Sequence, residues 1–228
     1  MDDARRLAGA GCPTGTVAVS DYQEKGRGRV PGRTWISAPK ESLLATVVLR
    51  IPELGYDLEE LPLRAGVAVA LGIEDAAGIA VHIKWPNDAV AVPGGAAAGR
   101  KLAGILCETH GDAALVGFGV NRAQASFPDE IARTACSLLQ VSGRILSAGT
   151  LLAAILHRLR SSAPGTAWQE ELRARLHRRG EQVRVDLIGS GQALQGRLLD
   201  IDQRGRLVLG LSDGSRRTVA QGELLTSP

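Results

Sequence analysis

A chain of 228 residues, 44% of them hydrophobic, has the material for one sizeable domain and a small second one. Aromatic residues make up only 3%, so the core must be built mainly from Ala, Val, Leu and Ile. A net charge of +3, from 27 basic against 24 acidic residues, does not describe a surface that coats nucleic acid. No basic segment precedes an apolar run at the start and no apolar stretch reaches membrane-spanning length, which argues against secretion and membrane insertion and for a cytoplasmic protein. Cys12, Cys107 and Cys136 are odd in number and never paired as CxxC. The histidines His82, His110, His157 and His177 complete no zinc spacing. A reduced protein without structural metal is expected.

The elements follow in chain order. Asp2 to Ala10 reads as a helix with acids in its first turn, where the helix dipole favours them. Thr16 to Gln23 alternates as a strand, and Ser42 to Arg50 is a more buried one. Apolar residues recur at helical spacing from about Leu61 to Ala76, with Pro62 fitting the first turn. Val81 to Val92 is strand-like but broken at Pro86-Asn87-Asp88. Leu102 to Thr109 and Ala113 to Val120 form a hairpin about Gly111-Asp112. A helical region runs from Thr150 to about Arg179, interrupted near SSAPGT. Past Gly180 the texture becomes short alternating strands with Gly-rich turns, enough for a small five-stranded barrel. The expected organisation is α+β: a mixed sheet with flanking helices over residues 1–178, then a β domain over 179–228.

Four segments carry chemistry. In EKGRGRVPGRTW, Gly26, Gly28 and Gly32 allow close backbone approach, while Arg27, Arg29 and Arg33 supply planar, permanently charged forks. That suits phosphate or carboxylate; a solvated basic loop is the alternative. In KWPND, Asn87 and Asp88 leave a strand at a proline turn, and a carboxylate beside an amide can hold Mg²⁺ and a nucleotide. On local grounds an Asx turn, in which both side chains merely bond their own backbone, is the stronger reading. Lys101 opens the strand KLAGILCE ahead of Leu102, Ala103, Gly104, Ile105 and Leu106, placing a cation at the mouth of an apolar slot; a lysine merely capping an edge strand reads as well. Lysine is scarce here, only Lys25, Lys40, Lys84 and Lys101 among the 27 basic residues, which slightly favours a specific role. In GFGVN, Gly117 to Asn121, two glycines in a buried strand signal either close approach or a β-bulge. No P-loop, completed GxGxxG or Ser/His/Asp arrangement is present.

Taken together and in this order, YQEKGRGRVPGRTW, KWPND, KLAGILCE and GFGVN followed by a small β domain resemble the biotin protein ligases over almost the whole chain. The resemblance implies a mixed sheet with helices followed by an SH3-like barrel. It implies formation of biotinyl-5'-AMP from biotin and ATP with Mg²⁺, then transfer to a lysine of a biotin carboxyl carrier protein. By position it implies Lys101 and Arg29 as catalytic residues, Lys101 bridging the biotin carboxylate and the α-phosphate. Gln23 falls on the ureido ring, with Gly26, Arg27, Arg29, Gly104, Leu106 and Gly117 completing the biotin side. Trp35, Asn87, Asp88, Asn121, Arg29 and Lys101 fall on the nucleotide side, with Asp88 the candidate Mg²⁺ ligand.

Two departures stand out. The Ser-Thr-Asn-like element that relatives carry before the first helix would fall upstream of Met1, and the VPGR half of the loop is one residue longer than usual, with Pro31 as a stiffener. No room is left for an N-terminal DNA-binding domain, so a monofunctional ligase is expected, with homodimerisation left open. The alternatives are a lipoate or octanoate ligase or transferase, and a non-catalytic biotin- or nucleotide-binding module. An RNA-binding protein is disfavoured by the modest charge and the lack of interleaved aromatics.

Overall fold

The structure, a computed structural model, describes residues 1–30, 32–92, 95–161, 165–189 and 191–225. Pro31 lies outside them, as do residues 162–164 within the SSAPGT interruption. Two antiparallel sheets organise the chain. The first has six strands, β1 (Thr16–Ser20), β2 (Ser42–Arg50), β3 (Val81–Lys84), β4 (Asp88–Ala91), β5 (Lys101–His110) and β6 (Ala113–Asn121), in the order β1-β2-β6-β5-β4-β3. β6 is central and buried along its whole length.

Alternation along these strands divides the core in two. Val47 faces α2 (Leu61–Ala77), α4 (Ala148–Ser161) and the main cluster, while Val48 faces α1 (Asp2–Gly9) in a small cluster with Ala4, Ala8, Ala113 and Leu115. α1 has eight residues, about 12 Å of helix, and covers only one end of its face. The rest of that face, carrying Leu44, Thr46, Gly117 and Gly119, is the floor of a cavity.

Helix α2 begins with Pro62 in its first turn and ends at Gly78 in the left-handed conformation, as its sequence signals require. It packs so closely on α4 that an ideal Cβ at Gly72 would lie 2.7 Å from the Cα of Ile155. Gly72→Ala gains about 1 kcal/mol of helix propensity but must force the helices apart, an overpacking cost of about 1–3 kcal/mol. A net loss of stability is expected in urea unfolding; a gain would mean that the α2–α4 contact yields.

The region expected as one interrupted helix is α4 and then α5 (Ala167–Arg175). β1 stops at Ser20 rather than continuing to Gln23, because the Ser20 hydroxyl bonds the Tyr22 backbone and turns the chain. A short helix, α3 (Leu138–Ser142), follows β6.

The C-terminal sheet has five strands, β7 (Gln182–Asp186), β8 (Ala193–Ile201), β9 (Leu207–Gly210), β10 (Arg216–Val219) and β11 (Glu223–Leu225). Their pairing order, β10-β9-β8-β7-β11, is an open ladder and not a closed ring. It shares one hydrophobic cluster with the larger sheet. Trp85 Nε1 donates to the Gly205 carbonyl at 3.0 Å, and Gln169 Nε2 to that of Gln203 at 2.9 Å, so the junction is also hydrogen-bonded. Arg64 crosses the same region buried between the rings of Tyr56 and Trp168, at 4.2 and 5.2 Å, and paired with Glu60.

Candidate active site

Two cavities meet under the Gly/Arg loop. The larger, about 440 Å³, falls in the range of small-molecule pockets. Its walls include Gln23, Arg27, Arg29, Trp35, Asn87 and Lys101, and its floor Gly104, Leu106 and Gly117. The smaller, about 110 Å³, adds Lys84, Asp88 and Glu223. Gly28, Arg29, Trp35, Asn87 and Lys101 belong to both, so a ligand running from one cavity to the other passes these side chains.

The glycine floor is built by register. Gly104 on β5 lies opposite Gly119 on β6, and Gly117 opposite Leu106, in an unbroken ladder that excludes a bulge at GFGVN. Bare backbone here lets large side chains approach: an ideal Cβ at Gly119 would sit 2.8 Å from the Trp35 indole, and one at Gly117 2.8 Å from Met1 Cε. Trp35 therefore lies on the Gly104–Gly119 pair with its Nε1 buried and unpartnered, and Lys101 Nζ stands 5.6 Å from its ring.

Lys101 is fixed through its backbone. Its N–H donates to Thr134 at 2.7 Å, and its carbonyl accepts from Cys136 N–H at 2.9 Å and from Asn121 Nδ2 at 3.2 Å. The β4–β5 register shifts at Ala89/Val90, so Asp88 stays opposite Gly104 while Val90 meets Lys101. Lys101 Nζ comes within 2.7 Å of Asp88 Oδ1, which has no aligned hydrogen-bond donor. Asn87 forms no Asx turn; its Nδ2 donates to the Ile105 carbonyl at 3.0 Å.

The loop itself is a small hairpin. Trp35 N–H donates to the Gly26 carbonyl at 3.3 Å and Gly28 N–H to that of Arg33 at 2.8 Å. It is tied at both ends. Arg27 meets Asp2 of α1 at 2.9 Å, while Arg29 donates to the Gly222 carbonyl at 2.6 Å and Arg33 pairs with Glu223. Burial pushes the Arg29 pKa down, opposed by the nearby carboxylates of Glu223 and Asp88.

Two residues of the sequence set stand outside both cavities. Gly26 is buried inside the loop hairpin, and Asn121 is buried with its amide donating to the Lys101 and Cys136 carbonyls. Asn121 reaches the site only through the backbone of Lys101. Lys84, Gly119, Gly222 and Glu223 are the residues that the motifs did not assign. Gly119 sits in the GFGVN motif and Lys84 heads KWPND, so both were in view; nothing local marks Gly222 or Glu223. Desolvation raises the Cys107 thiol to about 12 and the Cys136 thiol to about 11, so neither is a thiolate nucleophile. Among the described residues no three His, Cys, Asp or Glu side chains gather to hold a metal ion, and no helix is long and apolar enough to cross a membrane.

Residues 6–121 match the biotin/lipoate A/B protein ligase family, more than half of the chain. The chain belongs to that family. Residues 180–224 match the biotin protein ligase C-terminal domain. The biotin–[acetyl-CoA-carboxylase] ligase of Mycobacterium tuberculosis is 32% identical over 97% of this chain and 82% of its own length. The bifunctional ligase/repressor BirA of Bacillus spizizenii is 38% identical over 67% of this chain, a match spanning about half of that relative. Among solved structures, the biotin protein ligase from Aquifex aeolicus in complex with biotin and ATP superposes with a TM-score of 0.84 at 27% identity, covering 97% of this chain and 93% of that one. The six-stranded sheet with flanking helices and the small C-terminal sheet are thus the family's fold.

Proposed function

We propose that this chain is an ATP-dependent biotin–protein ligase. It joins the biotin carboxylate to the α-phosphate of ATP, releases pyrophosphate, and passes the biotinyl group to a lysine of a biotin carboxyl carrier protein. The observation that carries this reading is Lys101, a cation in the wall common to an apolar-floored cavity and a charged one. The match of residues 180–224 to the biotin protein ligase C-terminal domain favours biotin over lipoate or octanoate.

In the first step a carboxylate oxygen bonds to the α-phosphorus as the bond to the leaving pyrophosphate breaks, and pyrophosphate departs with that electron pair. Two anions must meet, so charge repulsion dominates the barrier. Lys101 and Arg29, both in the shared wall, lie where it develops. In the second step the carrier lysine amine attacks the biotinyl carbonyl, AMP leaves, and the amine loses a proton. Arg27 and Arg29, on the tied loop, hold water off the mixed anhydride meanwhile.

Asp88 would be the Mg²⁺ partner, a single carboxylate for a hard cation that takes its other ligands from phosphates and water, once Lys101 Nζ, 2.7 Å from its Oδ1, turns to the substrate. Such an ion would neutralise phosphate charge. Gln23, Gly104, Leu106 and Gly117 form the biotin side in this reading, and Trp35, Asn87 and Asp88 the nucleotide side. Residues 1–178 hold the substrates and residues 179–228 form the small C-terminal domain, in a setting that supplies ATP, the cytoplasm.

Biotin-dependent exchange of labelled pyrophosphate into ATP tests the first step, with lipoate and octanoate as controls. Exchange with biotin alone is expected. Exchange with lipoate alone would move the assignment within the family, and binding without any exchange would leave a binding module.

A further inference from the structure

The smaller cavity holds more positive charge than the adenylation step accounts for. Arg29, Arg33, Lys84 and Lys101 line it against only Asp88 and Glu223. Lys101 is engaged by Asp88 and Arg33 by Glu223. Lys84, the last residue of β3, is half-buried, and its ammonium makes neither a hydrogen bond nor an ion pair with the described residues. Burial is the main reason its pKa falls below that of an ordinary lysine; the carboxylates of Asp88 and Glu223 oppose the fall without reversing it, and Lys101 and Arg33 add to it. A half-buried ammonium that lines a cavity and has no partner among the described residues marks a place where an anion can bind.

Geometry selects the anion, granted the ligase reading above. Displacement at phosphorus keeps attacking and leaving oxygens roughly in line. With the attacking carboxylate in the larger cavity and the α-phosphate at the shared wall, the leaving group lies beyond that wall, where Lys84 is. We infer that Lys84 binds the two phosphoryl groups that leave as pyrophosphate, and that Glu223 of the C-terminal sheet stands in for them on Arg33 until nucleotide arrives. Pyrophosphate gains negative charge as the bond breaks, and Lys84 meets it. Glu223 must release Arg33 for the phosphates to enter, so the C-terminal sheet sets the affinity of a site built mainly by the larger one.

Calorimetric titration of the full chain with magnesium pyrophosphate alone, and separately with biotin, tests both parts. Lys84→Met should weaken pyrophosphate about 10-fold or more, the loss of one charge-assisted contact, and leave biotin affinity within about twofold. Glu223→Gln removes the competing anion and should tighten pyrophosphate severalfold. Unchanged pyrophosphate affinity in Lys84→Met would overturn the first assignment; unchanged or weaker affinity in Glu223→Gln would overturn the second. Because no exchange reaction is read, the phosphate site can hold while the biotin reading fails, or the reverse.

Discussion

Replacing Lys101 with alanine is expected to lower the rate of pyrophosphate exchange by about 10²–10³-fold, a loss of about 3–4 kcal/mol of transition-state stabilisation, the scale seen when one preorganised donor is removed from an anionic transition state. The fold should be nearly indifferent. Lys101 is 34% exposed and its partner Asp88 19%, so solvent screens their pair and its removal changes stability by about 1 kcal/mol or less. Arginine should not rescue activity. Lys101 Nζ, 2.7 Å from Asp88 Oδ1, acts as a compact point charge, and a planar guanidinium on a longer stem does not place its charge at that point. Exchange kinetics beside thermal unfolding separate the two effects. Activity within tenfold of wild type, with the fold intact, would remove Lys101 from the reacting centre.

The motifs were legible because each sits on a strand whose register is fixed locally. KLAGILCE and GFGVN are the two arms of one hairpin around Gly111-Asp112, and in the structure that turn sets Gly104 opposite Gly119. α2 was legible from its apolar spacing and its Pro62; Gly78, which ends it, is a further signal in the same stretch. α3 was not read, although its signal was present: Ser137 and Gln140 form a capping box ahead of a five-residue helix too short to show periodicity. Asn121 shows the limit of a motif. Its position in the strand is local, but the Lys101 and Cys136 carbonyls that take its amide are set by how residues 134–136 return to the sheet. Glu223 and Gly222 were out of reach for a stronger reason. They meet Arg33 and Arg29 across 190 and 193 residues of chain, through the docking of one sheet on the other, and no periodicity encodes that contact.

Within the Gly/Arg loop a single methyl group is expected to matter, for a local reason. Gly26 is buried, and an ideal Cβ on it would lie 2.2 Å from the Trp35 carbonyl oxygen, a backbone atom that cannot swing aside. Gly26→Ala must therefore open the hairpin, moving Arg27, Arg29 and Trp35 together. A displacement of about 1 Å at groups that orient reactants costs on the order of 10² in rate, and that is the expected fall in single-turnover transfer of biotin to a carrier lysine. A second signature separates this from simple loss of binding: the adenylate that does form should hydrolyse faster, because the loop no longer excludes water. Gly32 provides the contrast. It is left-handed at φ +84° with nothing within 4 Å of an added Cβ, so Gly32→Ala strains the backbone by about 1 kcal/mol without prying the hairpin apart. Its transfer rate should stay within about tenfold of wild type. If Gly26→Ala behaves no worse than Gly32→Ala, the pairing of Gly26 with Trp35 is not what holds the arginines over the site, and their ties to Asp2, Gly222 and Glu223 suffice.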